Sequence, residues 1–145
     1  MSHVRAQLRA AAVALLAALP ATAGRVYPSR LRPLRDADLP CLLVHTDDED
    51  IASLDIGGDV LERRLRLVVR ACVKTAGALD DALDALIAEV ETALAGQTFG
   101  GLAKSVELAS IGIEMDDALE KPAGAAALTY TVTYYTAAGS PGTAL

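Results

Sequence analysis

The sequence predicts an α+β fold, an antiparallel or mixed β-sheet of about four to five strands with two α-helices packed on one face. Two observations lead to this prediction. Apolar residues recur with helical spacing near the N-terminus and again over residues 79–95, whereas residues 60–73 and 126–136 alternate between two kinds of side chain. The helical segments are separated by runs of strand-like segments, which is the order typical of α+β domains.

The first 24 residues have two interpretations. Two arginines, an apolar run and the sequence Ala21-Thr22-Ala23 have the composition of a secretory signal. The alternative is an amphipathic helix that begins after Ser2 as N-cap and stops at Pro20, because apolar residues recur every three or four positions. This stripe comprises Val4, Leu8, Ala11, Leu15 and Leu19. A signal does not need such a stripe, so we expect a retained helix. The run is also too short and too alanine-rich to span a membrane.

Strand-like segments follow this helix. Val26 and Tyr27 form a short apolar edge, and residues 39–44 form an apolar strand that opens at Pro40. Gly57-Gly58 indicates a turn. The next strand, Val60–Val73, has one apolar face and one basic face, since side chains alternate between the two sides of a sheet. The basic face carries Arg64, Arg66 and Arg70.

The second half of the chain again begins with a helix, and two strands follow it. A helix is predicted from about Leu79 to Ala95, closed by Gly96. A loop with Phe99 leads to a strand over residues 105–115, whose apolar phase changes near Leu108 and so predicts a bulge. The last strand covers residues 126–136. We expect one domain over residues 1–136 and a flexible tail over residues 137–145.

Composition limits the function classes. The chain has 13 basic and 19 acidic residues and a net charge of −6, which argues against a specific nucleic-acid-binding module. Cys41 and Cys72 fall in apolar strand segments, which predicts two buried, reduced thiols; a disulfide stays open if their strands are neighbours. No CxxC occurs, and His3 and His45 lie far apart in the sequence, so we expect no metal site.

The acidic pairs and clusters do not indicate catalysis. Asp47, Asp48, Glu49 and Asp50 lack the glycine and the downstream glutamate of a calcium-binding loop, so we expect a solvated acidic turn. The pair Asp116-Asp117 has no nucleophile or histidine near it in the sequence. The sequence therefore predicts neither an enzyme nor a cofactor-binding protein.

The arginine row on the strand over residues 60–73 has two interpretations. Like charges on alternate positions repel each other unless acidic groups lie opposite them. The acids can come from the same chain, which gives a solvated sheet face. Alternatively they come from a neighbouring copy, which makes the row an intersubunit face in a ring.

One stretch of the chain indicates a family. Over Arg25–Asp50, RVYPSRLRPLRDADLPCLLVHTDDED, a short apolar edge leads through a proline- and arginine-containing loop into an apolar strand and an acidic cluster. With the preceding Ala/Leu helix, the second helix carrying Glu89 and Glu91, and the closing strand LTYTVTYYT, it resembles the tail terminator proteins of long-tailed phages, the lambda minor tail protein U type. The resemblance covers residues 1–136 as an order of elements.

This resemblance implies a structural role. Tail terminators form a hexameric ring that caps the tail tube at full length and presents the surface to which the filled head attaches. It implies three kinds of partner: further copies of the chain, the tail tube protein, and a head-completion or connector protein. It implies no cofactor, no catalysis and no membrane, and a place in the virion tail and, during assembly, the host cytoplasm.

Thirteen residues are candidates for the assembly interface, drawn from the loops, the acidic clusters and the arginine row: Arg30, Arg32, Arg35, Asp47, Asp48, Glu49, Asp50, Arg64, Arg66, Arg70, Phe99, Asp116 and Asp117. The loops at Arg30–Arg35 and Gln97–Ala103 are candidates for the face that meets the tube or the head. Two alternative functions stay open. One is another head–tail connector or tail-completion subunit, and the other is an exported bacterial α+β protein that has lost residues 1–23.

Overall fold

The computed structural model describes residues 2–28, 39–75, 77–116 and 123–145, with only the backbone of Asp116. The described residues form two helices and a mixed five-stranded sheet in the order β1-β2-β3-β5-β4, which confirms the predicted α+β fold. β1 runs parallel to β2, and the other pairs are antiparallel. The elements are α1 (Val4–Leu16), a 3₁₀ turn (Pro20–Thr22), β1 (Val26–Tyr27), β2 (Cys41–Ser53), β3 (Val60–Lys74), α2 (Leu79–Leu94), β4 (Ser105–Asp116) and β5 (Ala123–Ala137).

The centre of the sheet is the pairing of β3 with β5, which extends from Val60 opposite Ala137 to Lys74 opposite Ala123. The predicted alternation is confirmed in both strands. Leu65 and Leu67 are fully buried on the helix side, whereas Arg64 and Arg66 are exposed on the other side. α2 packs against β3 and β5, and α1 packs against β1, β2 and α2.

The stripe of α1 differs in its second half from the prediction. Val4 and Leu8 are fully buried as expected, but the stripe continues through Ala12 and Leu16, while Ala11, Leu15 and Leu19 are only partly buried. The buried side thus continues in steps of four residues from Val4 to Leu16, whereas the predicted stripe takes a step of three from Leu8 to Ala11. The N-cap is His3, not Ser2: its Nδ1 accepts the Arg5 N–H at 3.1 Å. Neither described helix meets the length and hydropathy required of a bilayer span.

The predicted acidic turn at Asp47–Asp50 is wrong. β2 does not end near Val44 but continues through the acidic cluster to Ser53, with a bulge between Thr46 and Glu49. Pairing with β3 overrides the local preference of acidic residues for turns, because arginines on β3 lie beside the carboxylates. The chain reverses at residues 54–59 instead, around the predicted Gly57-Gly58 pair, where Gly58 has φ +70°.

The second half of the chain follows the prediction closely. α2 ends at Leu94, one residue before the predicted end, and β5 is a few residues longer than predicted. The register of β4 against β5 shifts between Leu108 and Ser110, which confirms the predicted bulge. Phe99 lies in the loop before β4 with φ +52°, and its side chain joins the core.

The C-terminal segment folds back onto the domain. Pro141 accepts the backbone N–H of Val4 at 2.8 Å, and Gly142 accepts a side-chain N–H of Gln7 at 2.9 Å. The backbone N–H of Leu145 donates to Tyr135 at 2.9 Å. The segment predicted to be a flexible tail therefore has defined contacts with the start of α1 and the end of β5; its mobility stays a prediction.

The contribution of α1 to stability follows from its buried side. Leu8→Ala should lower the free energy of unfolding by about 2–5 kcal/mol, because it removes a fully buried side chain and leaves a cavity. Ala14→Lys on the exposed side of α1 is the matched control and should change it by less than about 0.5 kcal/mol. Urea unfolding followed by circular dichroism measures both. Equal midpoints for the two variants would contradict a packed α1.

Candidate functional site

The arginine row lies on the sheet face opposite the helices, and its charges are compensated within the chain. Each guanidinium has one carboxylate within hydrogen-bonding distance: Arg64 with Glu62 at 3.1 Å, Arg66 with Asp48 at 3.2 Å, and Arg70 with Glu114 at 3.4 Å. All three arginines remain substantially exposed, so each pair contributes little to stability. The arrangement matches the intrachain interpretation, and an intersubunit role of these arginines stays a prediction.

Glu49 differs from the other acids of the cluster because it is buried on the helix side. Its Oε2 accepts a hydrogen bond from Arg63 Nη1 at 3.0 Å, and only 4% of the Glu49 side chain and 9% of the Arg63 side chain are exposed. Arg63 Nε donates to Thr136 Oγ1 at 3.0 Å, and the Tyr134 hydroxyl donates to Glu49 Oε1. Four side chains from β2, β3 and β5 therefore form one buried polar cluster.

The electrostatics of this cluster indicate a structural role. Burial, followed by the hydrogen bond to Glu49 and its negative charge, raises the pKa of Tyr134, so the hydroxyl stays a proton donor. Burial and the Arg5 charge lower the pKa of the nearby His3, which favours the neutral imidazole that caps α1. Both oxygens of Glu49 are occupied by hydrogen bonds, which leaves it poorly suited to act as a general base.

The other candidate residues lie in several places. Arg30, Arg32, Arg35 and Asp117 fall outside the described residues, and Asp116 ends β4. Phe99 is 7% exposed and belongs to the core, so its side chain offers little surface to a partner. Asp47 lies 3.5 Å from His45, and Asp50 is opposite Arg64. Among the described residues, no group of three or more His, Cys, Asp or Glu side chains is arranged to hold a metal ion.

Two apolar patches were missed by the sequence reasoning. Within the described part of the chain, seven of the eight large exposed apolar side chains fall into two groups. The hairpin patch lies at the β2–β3 hairpin and comprises Ile51, Leu54 and Ile56. The edge patch lies on β4 and comprises Leu108, Ile111, Ile113 and Met115, which are 38–51% exposed. Exposed apolar groups clustered in this way are typical of interaction sites.

The edge patch exists because the helical layer does not extend to β4. Leu108, Ile111 and Ile113 lie opposite Tyr130, Leu128 and Ala126 of β5, so they point to the helix side of the sheet. α2 packs on β3 and β5, whose side chains are buried, and β4 lies beyond it at the end of the described sheet. The apolar alternation that predicts this strand indicates an apolar face but does not show whether a helix covers it.

The comparisons with known proteins do not assign this chain to a family. A search against protein-family models found no matching family, and a search of the curated proteins found no significant match. The resemblance to the tail terminators stays a prediction.

The buried cluster can be tested by neutralising one carboxylate. Glu49→Gln leaves the Arg63 charge buried without its counter-ion, so the free energy of unfolding at neutral pH should fall by about 3–5 kcal/mol. Asp48→Asn removes the same charge from an exposed pair one residue away and should cost less than about 1 kcal/mol. Urea unfolding measures both variants. Similar losses would show that burial does not distinguish the two ion pairs.

Proposed function

We propose that this protein is a structural subunit that assembles into a ring and caps the end of a phage tail tube, as the tail terminators do. The observation that carries the proposal is the presence of two unlike apolar patches, one at the β2–β3 turn and one on the edge strand β4. The order of elements, helix, strands, helix and two strands, agrees with the order on which the resemblance depends.

Two unlike patches favour head-to-tail association. A two-fold dimer brings one patch against the same patch of its partner, whereas a closed ring requires two different patches that fit each other. The hairpin patch projects at a turn, and the edge patch lies flat along a strand. A long apolar edge strand is an aggregation hazard that soluble monomers usually avoid. In the proposed ring the hairpin patch of one copy covers the edge patch of the next.

The charge of the chain suits the inside of a DNA-filled tail. The net charge is −6, and each arginine of the arginine row has an acid of the same chain beside it, so the row is not an uncompensated basic patch. An acidic ring repels the phosphate backbone, so DNA can pass through it without adhering. The proposed partners are the tail tube protein on one face of the ring and a head-completion or connector protein on the other. No cofactor takes part in capping.

Ring assembly predicts a specific rescue. Ile56→Asp should disable the hairpin patch and Ile113→Asp the edge patch, because either change places a charge in an apolar contact. Each variant alone should be monomeric. Mixed together, they should form a one-to-one heterodimer, since the intact hairpin patch of one can still meet the intact edge patch of the other. Light scattering and native mass spectrometry measure these masses.

The controls separate this contact from alternatives. Ala14→Asp adds the same charge on exposed α1, outside both patches, and should assemble like the wild type. High salt should leave apolar assembly intact but weaken a ring held by the arginine row. Two monomeric variants that do not rescue each other would contradict the head-to-tail contact. A wild type that stays monomeric even with tail tube protein would contradict the ring itself.

The capping function is tested in the particle. Electron microscopy of phage assembled without this protein should show overlong tails or heads that have not joined tails, because nothing stops tube growth or completes the joint. Complementation with the wild type should restore tail length, and complementation with Ile113→Asp should not. Tails of normal, uniform length joined to heads in the absence of the protein would refute the proposed function, whatever its oligomeric state.

A further inference from the structure

The two cysteines of the chain are directly opposite each other. Cys41 of β2 and Cys72 of β3 are register partners in the antiparallel pairing. Their side chains cluster with Leu43 on the sheet face away from the helices, and both thiols are reduced. Directly opposite residues have Cα atoms about 4.5–5.5 Å apart, within the range of about 4.4–6.8 Å found in disulfides. The condition that the sequence left open, neighbouring strands, is met.

The two thiols have different surroundings. A hydrogen bond with Cys41 lowers the pKa of Cys72 to about 7 against the opposing effect of burial, and the nearby Arg70 guanidinium lowers it further by a hydrogen bond and by its charge. The thiolate, rather than the thiol, is the nucleophile in cysteine chemistry. Cys72 therefore has a larger thiolate fraction than an ordinary thiol, and we expect it to react first of the two cysteines.

Exposure to solvent also favours reaction at Cys72. Cys41 is completely buried, whereas 7% of Cys72 is exposed. A depression of about 210 Å³ on the sheet surface has Arg70 and Ala125 in its lining. Arg70 lies two residues before Cys72 on the same strand face, and Ala125 is opposite Cys72 on β5. The depression therefore lies beside Cys72, which is the cysteine with an exposed fraction that an oxidant as small as hydrogen peroxide can contact.

We propose that Cys41 and Cys72 form a peroxide-reactive pair in which Cys72 is oxidised first and Cys41 converts it to a cross-strand disulfide. The Cys72 thiolate attacks one peroxide oxygen, the O–O bond breaks, and hydroxide leaves and takes up a proton to give water. The Cys41 sulfur then attacks the sulfur of the Cys72 sulfenic acid. The S–O bond breaks, the S–S bond forms, and the departing hydroxide takes the Cys41 proton as a second water. This chemistry is independent of ring assembly.

The test uses the full-length folded protein and hydrogen peroxide. Intact mass spectrometry should show the loss of two hydrogen atoms, reversed by dithiothreitol, and peptide mapping should join Cys41 to Cys72. In Cys41→Ser the reaction should stop at a sulfenic acid on Cys72, which dimedone traps. In Cys72→Ser the remaining thiol should react on the order of tenfold more slowly at neutral pH, since an ordinary thiol is only a few per cent thiolate there.

A control without substitutions keeps the test decisive if either variant folds poorly. Folded wild type should form the disulfide faster than urea-unfolded wild type, because the sheet holds the sulfurs together. Three results would overturn the proposal. They are over-oxidation of Cys72 without a disulfide, equal dimedone labelling of the two single variants, and disulfide formation that is no faster in the folded than in the unfolded protein.

Discussion

The long antiparallel pairing of β3 with β5 is the interaction on which the other elements depend. Every residue from Val60 to Lys74 has a partner on β5, so the register is fixed along the full length of both strands. Because side chains alternate between the faces, a slip of one residue would turn Arg64 and Arg66 into the core and Leu65 into solvent. That penalty selects one register, and the register in turn fixes the apolar surface on which α2 packs. β2 and β4 then extend the sheet on either side.

The bulge in β2 determines which acidic side chain of this strand pairs with the buried Arg63. Thr46 is opposite Leu67 and Glu49 is opposite Leu65, so the extra residue between them keeps both side chains on the helix side. Without the bulge, Glu49 would leave that face and the Arg63 guanidinium would be buried with no counter-ion. Asp48 turns outwards instead and reaches Arg66. The bulge thus places the Glu49 carboxylate in the buried cluster and the Asp48 carboxylate in solvent.

Sequence reasoning succeeded where the pattern is local and failed where it depends on a neighbour. The apolar periods of β3, β5 and α2, and the change of phase in β4, are properties of single segments. Their predicted bounds agree with the structure to one residue in β3 and α2 and to a few residues in β5. The strand character of Asp47–Asp50 and the burial of Arg63 depend on cross-strand partners that the chain order does not reveal. Phe99 is predicted to lie at the assembly interface, but its ring packs into the core, which the glycine-rich loop around it does not indicate. The exposure of the edge patch could not be predicted, because it depends on how far α2 extends across the sheet.

The uneven coverage of the sheet connects the fold to the proposed assembly. The two helices pack on β1, β2, β3 and β5, whereas the four side chains of the edge patch on β4 are 38–51% exposed. On the opposite face, each arginine of the arginine row pairs with an acid of the same chain. Among the described residues, the arginine row thus has partners within the chain, whereas the two apolar patches remain exposed. Salt does not screen apolar contacts, and the net negative charge disfavours unspecific contact between copies. A subunit of this kind gains most from the one arrangement that covers both patches at once. The cysteine pair lies on the other face, so its oxidation would leave both patches in place.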